Sequence, residues 1–403
     1  MISDWFRNLS FKKAMAICAI ILSLLAIKEF MRIQEVGNQP SKYGDGYSEQ
    51  NAIWGAKAYE KLGILSNAGL PDHCLFPSNS QNSCVYTHYP PGPEYLVLMS
   101  SRLVNSFDFN SLRIPALILN LMLLSLTIIL LLKKLDHLFV VILLSILSLH
   151  PFFSRFMHNL HYQGHAFYLL FLQMAVTLFV KESPKKTFSS LFLLSFFQGW
   201  LSFDYFFIAT LAPMVFYGFL HGFRKKETLL LTIFSGAGFA LAHLLHFYQV
   251  ILYYGSFEKA FEDFLNAAKN RTNNEIIVIK WVPQKALNPL KLLSIYFSRY
   301  TKRHGFLPIS LDKYMLISMA LIVSFGFMKF RKSVFSFCFK KDLIDLSLAF
   351  FVSSLWIIVM RQHSFIHFSF INQHYFLFIL VWIMWLLSRL TRLQILKTSP
   401  SYG

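Results

Sequence analysis

The sequence predicts an all-α fold, a polytopic transmembrane helical bundle of about ten spans. Three observations carry that reading. Hydrophobic residues make up 55% of the 403 residues and charged ones only 14%, too little charge to cover a soluble surface of this size. The apolar residues fall in blocks, most of them close to the roughly 20 helical residues that cross a bilayer core. Lys and Arg gather at the ends of those blocks. The formal charge of +18 therefore reads as a topology signal and not as a nucleic-acid surface.

The first block, Ala14–Ile27, follows Arg7, Lys12 and Lys13. No small-residue cleavage site comes after it, so it reads as an uncleaved span. A polar stretch, 32–111, separates it from the blocks Leu112–Leu132, Leu138–Phe153, His165–Val180, Phe188–Leu201 and Tyr205–Leu220. Leu229–Tyr253, Phe306–Phe327, Leu343–Met360 and Tyr375–Leu387 complete the set. Alternate connections carry Lys133 and Lys134; Lys181, Lys185 and Lys186; Arg224, Lys225 and Lys226; and Lys329, Arg331, Lys332, Lys340 and Lys341. Arg389, Arg392 and Lys397 follow in the tail. Basic residues in short loops stay cytoplasmic, so both termini are expected there. The outer side then receives the large loops 32–111 and 254–305 and the short ones 154–164 and 361–374. The simplest parse is a single membrane domain, 1–403, with two inserted outer loops. Cys74 and Cys84 share the first loop, where an oxidising compartment permits a disulfide or leaves two thiols.

Within loop 32–111, Ala52, Ala56, Tyr59 and Leu62 recur at helical spacing and Gly63 is placed to end the helix. The turn Gly44-Asp45-Gly46 sets Asp45 at that helix's N-terminus, where the dipole favours its ionised form. Pro90, Pro91 and Pro93 stiffen the segment that carries His88 and Tyr89, and a second helix is expected from Glu94 to about Leu103.

This order resembles the membrane glycosyltransferases of the GT-C superfamily, such as protein O-mannosyltransferases and lipid A aminoarabinose transferases. The shared layout is a first span, an outer loop with an acid near its start, an amphipathic helix closed by Gly, and a His-x-Pro-Pro segment. The resemblance is clearest over roughly 1–220. It implies transfer of a sugar from a polyprenyl-phosphate carrier to a glycan, lipid or protein acceptor, with Asp45 as catalytic base. A helix cap is the plain alternative for Asp45. His88 is expected to contact the donor phosphate, to bind a metal where a relative uses one, or to pack in its proline turn, and Tyr89 beside it is a candidate substrate contact.

Relatives of this layout often carry a second acid near the start of the fourth span. This chain offers Asn159, His161, Gln163 and His165 there. Gln163 and His165 are accordingly candidate substrate contacts. His158, His161 and His165, at spacing i, i+3, i+7, would share a helical face and are the candidates for a divalent metal, although no cofactor is certain. Asp204 stands among Phe and Tyr at the outer end of a span, a costly place for a carboxylate unless it is paired or wet. It is the second candidate acid, against an exposed turn. Residues 254–271 read as an amphipathic helix ending at Arg271, a candidate phosphate ligand. In the last outer loop Arg361, His363 and His367 form a further candidate phosphate cluster, or the snorkelling end of a span. Two other classes stay open: a transporter of lipid-linked saccharides, and a non-catalytic protein of the same fold.

Overall fold

The structure is a computed structural model, and it describes residues 9–40, 46–74, 84–149, 151–154, 156–272, 338–360 and 374–391. The described residues are helical, apart from turns and one isolated bridge between Asp72 and Val85. In chain order the helices are α1 (Phe11–Val36), α2 (Gly46–Leu62), α3 (Gly92–Val104), α4 (Phe109–Lys134), α5 (His137–Leu149), α6 (Pro151–Ser154) and α7 (Tyr162–Thr177). They continue as α8 (Pro184–Leu201), a 3-10 turn (Phe203–Tyr205), α9 (Phe206–His221), α10 (Lys225–Tyr254), α11 (Phe257–Thr272), α12 (Cys338–Val359) and α13 (Phe376–Thr391).

Among the described residues five segments are long and apolar enough to cross a membrane: Phe11–Val36, Phe109–Lys134, Phe203–His221, Lys226–Tyr254 and Lys341–Val359. The chain is thus an integral membrane protein with fewer full-length candidate spans among its described residues than the sequence reading expects. The other expected blocks that are described are helical but short or mixed. Helix α5 has 13 residues, about 20 Å of rise against a core of roughly 30 Å, and it stops before Pro151. Lys185, Lys186 and Gln198 dilute α8. The block Phe306–Phe327 lies outside the described residues.

Helix α1 runs farther than its apolar block. It extends to Val36 and carries Lys28, Glu29 and Arg32 inside the helix, with Glu29 fully buried. Ile20, Leu24, Ile27 and Met31 form an exposed apolar stripe, while Ala14, Cys18, Leu25 and Ile33 face the bundle. Helices α8 and α10 pack closely. A Cβ at Gly238 would come within 2.1 Å of the Phe192 carbonyl oxygen, so only glycine lets these backbones approach. Phe153, Phe167, Phe171 and Phe376 stack edge-on and tilted, with the Phe167 and Phe376 centroids 4.4 Å apart, and tie α6 and α7 to α13.

The two ends of the bundle differ. At one end Lys134 pairs with Glu182, and Lys181 approaches His221 at 3.5 Å. At the other end the chain between α1 and α4 folds down on the bundle as α2 and α3. Both expected helices of this stretch form. Helix α2 gives way to Gly63, whose φ is +89°, and α3 begins two residues earlier than Glu94.

Candidate functional site

The stretch between α1 and α4 is held down at two places. The first surrounds Arg113 of α4, whose side chain is wholly buried. Its guanidinium donates to the Gly37 carbonyl at 3.0 Å, to the Gln39 carbonyl at 2.7 Å and to Glu49 Oε2 at 3.1 Å. Glu49 Oε1 accepts from the Leu160 backbone amide at 3.2 Å. A buried ion pair needs such extra hydrogen bonds to offset its desolvation. It fixes the first turn of α2 against α4 and against the 156–161 turn. Asp45, one residue before α2, lies outside the described residues.

The second place is the rigid segment Tyr86–Pro93. The Cys74–Cys84 disulfide forms, with Cα atoms 5.0 Å apart, and Asp72 Oδ1 accepts from both cysteine amides. Tyr86 stacks on His73 and Tyr89. His73 reaches Glu94 at 3.0 Å. Gly92 sits where a Cβ would come within 2.3 Å of the Trp200 carbonyl oxygen, so this segment rests directly on the end of α8. Tyr59 and Tyr95 both donate to the Gly69 carbonyl, at 2.7 and 2.8 Å. Burial pushes the phenol of each upward, so both stay neutral donors.

From this segment three consecutive residues reach three elements. The Thr87 hydroxyl donates to Asp263 Oδ2 of α11 at 2.7 Å, and its carbonyl accepts from His246 of α10 at 2.9 Å. His88 Nε2 meets Asp263 Oδ1 at 3.3 Å. The Tyr89 hydroxyl donates to Asp204, 3.2 Å from Oδ2. Asp204 is 1% exposed, so the reading of an exposed turn is corrected: it sits in the 3-10 turn, with Ser202 Oγ accepting from its amide. The Trp356 indole nitrogen donates to Oδ1 at 3.4 Å. His374 stacks on Trp356 at 4.4 Å and lies against Tyr205 at 5.1 Å. Asp204 and Trp356 line a cavity of about 220 Å³ whose other walls include Phe203, Phe207, Phe264 and Met360.

The candidate histidines of the fourth block separate. Residues 156–158 form a turn, and His161 has extended backbone as the cap before α7 begins, so only His165 is helical and the shared face is not formed. His158 Nδ1 lies 3.4 Å from Glu29, beside Arg32 and Ser154. His165 Nδ1 meets Asn120 Oδ1 at 3.0 Å, and Asn120 donates to the Met157 carbonyl. Among the described residues no group of three or more His, Cys, Asp or Glu is placed to hold a metal. Gln163 lies in α7 and Arg271 in α11, with side chains outside the description. Arg361, His363 and His367 lie outside the described residues.

The structure therefore brings His88, Tyr89 and Asp204 together at one end of the bundle. Asp263, Trp356 and His374 join them there, although sequence reasoning does not single them out. Asp263 sits among Glu258 and Glu262 as one more charge on an amphipathic helix, and its pairings with Thr87 and His88 span 176 and 175 residues. No family model and no curated protein matches the chain. Among solved structures it is similar to the apo form of the oligosaccharyltransferase of Archaeoglobus fulgidus, at 13% identity and a TM-score of 0.47. That match covers 95% of this chain and 51% of the other. The same enzyme in complex with Zn and sulfate matches at 14% identity and a TM-score of 0.38, covering 94% and 50%. The chain spans about half the length of these structures.

Proposed function

We propose that the chain is a GT-C-like membrane glycosyltransferase, moving a sugar from a polyprenyl-phosphate-linked donor to an acceptor at the outer face. The observation that carries the reading is the clamping of the stretch between α1 and α4 onto the less basic end of the bundle. That clamping sets the proline segment over the buried Asp204. The Cys74–Cys84 bridge supports an oxidising outer compartment for that end, and the basic clusters of the other connections support a cytoplasmic one opposite.

In this reading Asp45 takes the proton of the acceptor hydroxyl as its oxygen attacks the anomeric carbon. The bond from that carbon to the phosphate oxygen breaks, its electron pair leaves with the phosphate, and configuration inverts. Arg361, His363, His367 and Arg271 neutralise the departing phosphate. His88, oriented by Asp263, and Tyr89, bonded to Asp204, face the substrate from the proline segment. Gln163 and His165 orient it from the start of α7. Asp204 is the second acid, and any requirement for a divalent metal is read from the assay below.

The test is an assay of the purified full-length protein in lipid nanodiscs with a panel of polyprenyl-phosphate sugars, with and without Mg²⁺ or Mn²⁺. Transfer or hydrolysis with at least one donor is expected. Binding without turnover across the panel would overturn catalysis in favour of a binding protein. The transporter reading is weaker on packing grounds. Gln173 donates to Gln198, which donates to the Ala166 carbonyl, so both mid-helix amides bond within the bundle, with Gln173 Oε1 left buried without a partner among the described residues.

A further inference from the structure

Helix α11 presents three faces. Ala260 and Ala267 are buried, and Ala260 packs with Leu70 and Val250. Glu258, Glu262 and Lys269 are exposed on a polar face. Between these faces Phe257, Phe261, Phe264 and Leu265, at spacing i, i+4, i+7 and i+8, are 56%, 45%, 48% and 38% exposed. A contiguous patch of three phenylalanines and a leucine is costly against water. The helix follows directly on α10, whose Leu244, Tyr248 and Leu252 are exposed along a candidate span. The turn at Gly255, with φ of +63°, joins the two. Phe247 of α10 packs edge-on against both Phe257 and Phe264, so the apolar surface of α10 continues without a break onto α11.

We propose that α11 lies in the plane of the bilayer interface, with its Phe257–Leu265 face in the headgroup–acyl boundary and its occupant the lipid itself. Continuity with the exposed surface of a spanning helix argues for lipid over a protein partner. Three acids (Glu258, Glu262, Asp263) and three bases (Lys259, Lys269, Arg271) cancel along the helix. Insertion is therefore driven by apolar area and needs no anionic lipid. Aromatic side chains suit that depth. Because Asp263 holds Thr87 and His88, the inserted helix also fixes the level of the proline segment at the membrane surface. None of this depends on catalysis.

The test places a nitroxide label on full-length protein in phosphatidylcholine vesicles, in a background with Cys18→Ala and Cys338→Ser. Labels at Phe261→Cys and Glu262→Cys are compared with one at Leu244→Cys, which sets the scale for lipid exposure. Accessibility to oxygen and to a water-soluble nickel complex is read by power saturation. The Phe261 label is expected to match Leu244 in preferring oxygen, with an oxygen-to-nickel ratio several-fold above that of Glu262. A Phe261 label as open to nickel as Glu262 would place the face in water and overturn the proposal. A label shielded from both reagents, by a second copy or another segment of this chain, would overturn it equally. Leu265→Cys, on the same face, gives the same reading should the Phe261 variant not fold.

Discussion

The two halves of the stretch between α1 and α4 are fastened by different chemistry. Residues 37–40 and 46–62 are held by a buried charge pair, Arg113 with Glu49, with further bonds to the Gly37 and Gln39 carbonyls and from the Leu160 amide, while Arg113 Nε is buried without a partner among the described residues. Residues 63–74 and 84–93 are held by a disulfide, stacked rings and hydrogen bonds from tyrosine and threonine hydroxyls. The first fastening fails steeply when one partner is lost, because the other is left charged in a low dielectric. The second fails in small steps. His88 and Tyr89 lie on the graded half.

The comparison can be broken most sharply at the ion pair. Arg113→Met leaves the buried Glu49 carboxylate without its counter-charge, and a loss of about 3–5 kcal/mol is expected in thermal melts of the detergent-solubilised protein. Adding Glu49→Leu to that variant restores most of the loss. A single variant as stable as the parent would remove the distinction between the halves. Reducing the second half's tether should cost less: Cys74→Ser with Cys84→Ser opens a short loop worth roughly 2–3 kcal/mol. Faster hydrogen exchange should then appear in residues 63–93 while the amides of α2 keep their protection.

Smaller still is Tyr89→Phe, which removes one neutral donor from Asp204 while Trp356 keeps its own. About 1–2 kcal/mol of stability is expected to go, read from the melting temperature. The smallest effect concerns α11. The Ser256 hydroxyl and the backbone amide of Glu258 hold that fully exposed carboxyl below its ordinary value. A lowered carboxylate stabilises the folded helix at neutral pH, and the contribution is lost as pH falls through the folded value. Ser256→Ala should therefore lower the protection of α11 at neutral pH and flatten its fall as pH drops through the folded value, leaving protection below that value unchanged.

Much of the scaffold is legible from patterning alone. Helical spacing and Gly63 give α2, the three prolines give the rigid segment, and the paired cysteines mark an allowed bridge. Span length is less legible, because hydropathy does not report where a helix stops: α1 carries Lys28, Glu29 and Arg32 onward to Val36, and Pro151 cuts the third block short. The site is legible where one residue is chemically expensive, as with Asp204 among aromatics. It is illegible where the chemistry lies in pairing across the chain. Nothing near Arg113 in sequence announces Glu49, 64 residues away, and Asp263 looks like helix surface until Thr87 and His88 reach it. Histidine spacing misleads for a related reason. His158, His161 and His165 match a helical period only if the helix begins before Tyr162, and it does not.

The proposed function rests on Asp45 acting as the general base toward the acceptor hydroxyl. Its most direct test is the turnover number of Asp45→Asn with whichever polyprenyl-phosphate sugar the wild type uses, measured at saturating donor. A fall of about 10²–10⁴-fold, with donor binding and melting temperature unchanged, is the result expected for loss of a general base. An Asp45→Asn protein that turns over at the wild-type rate would contradict it.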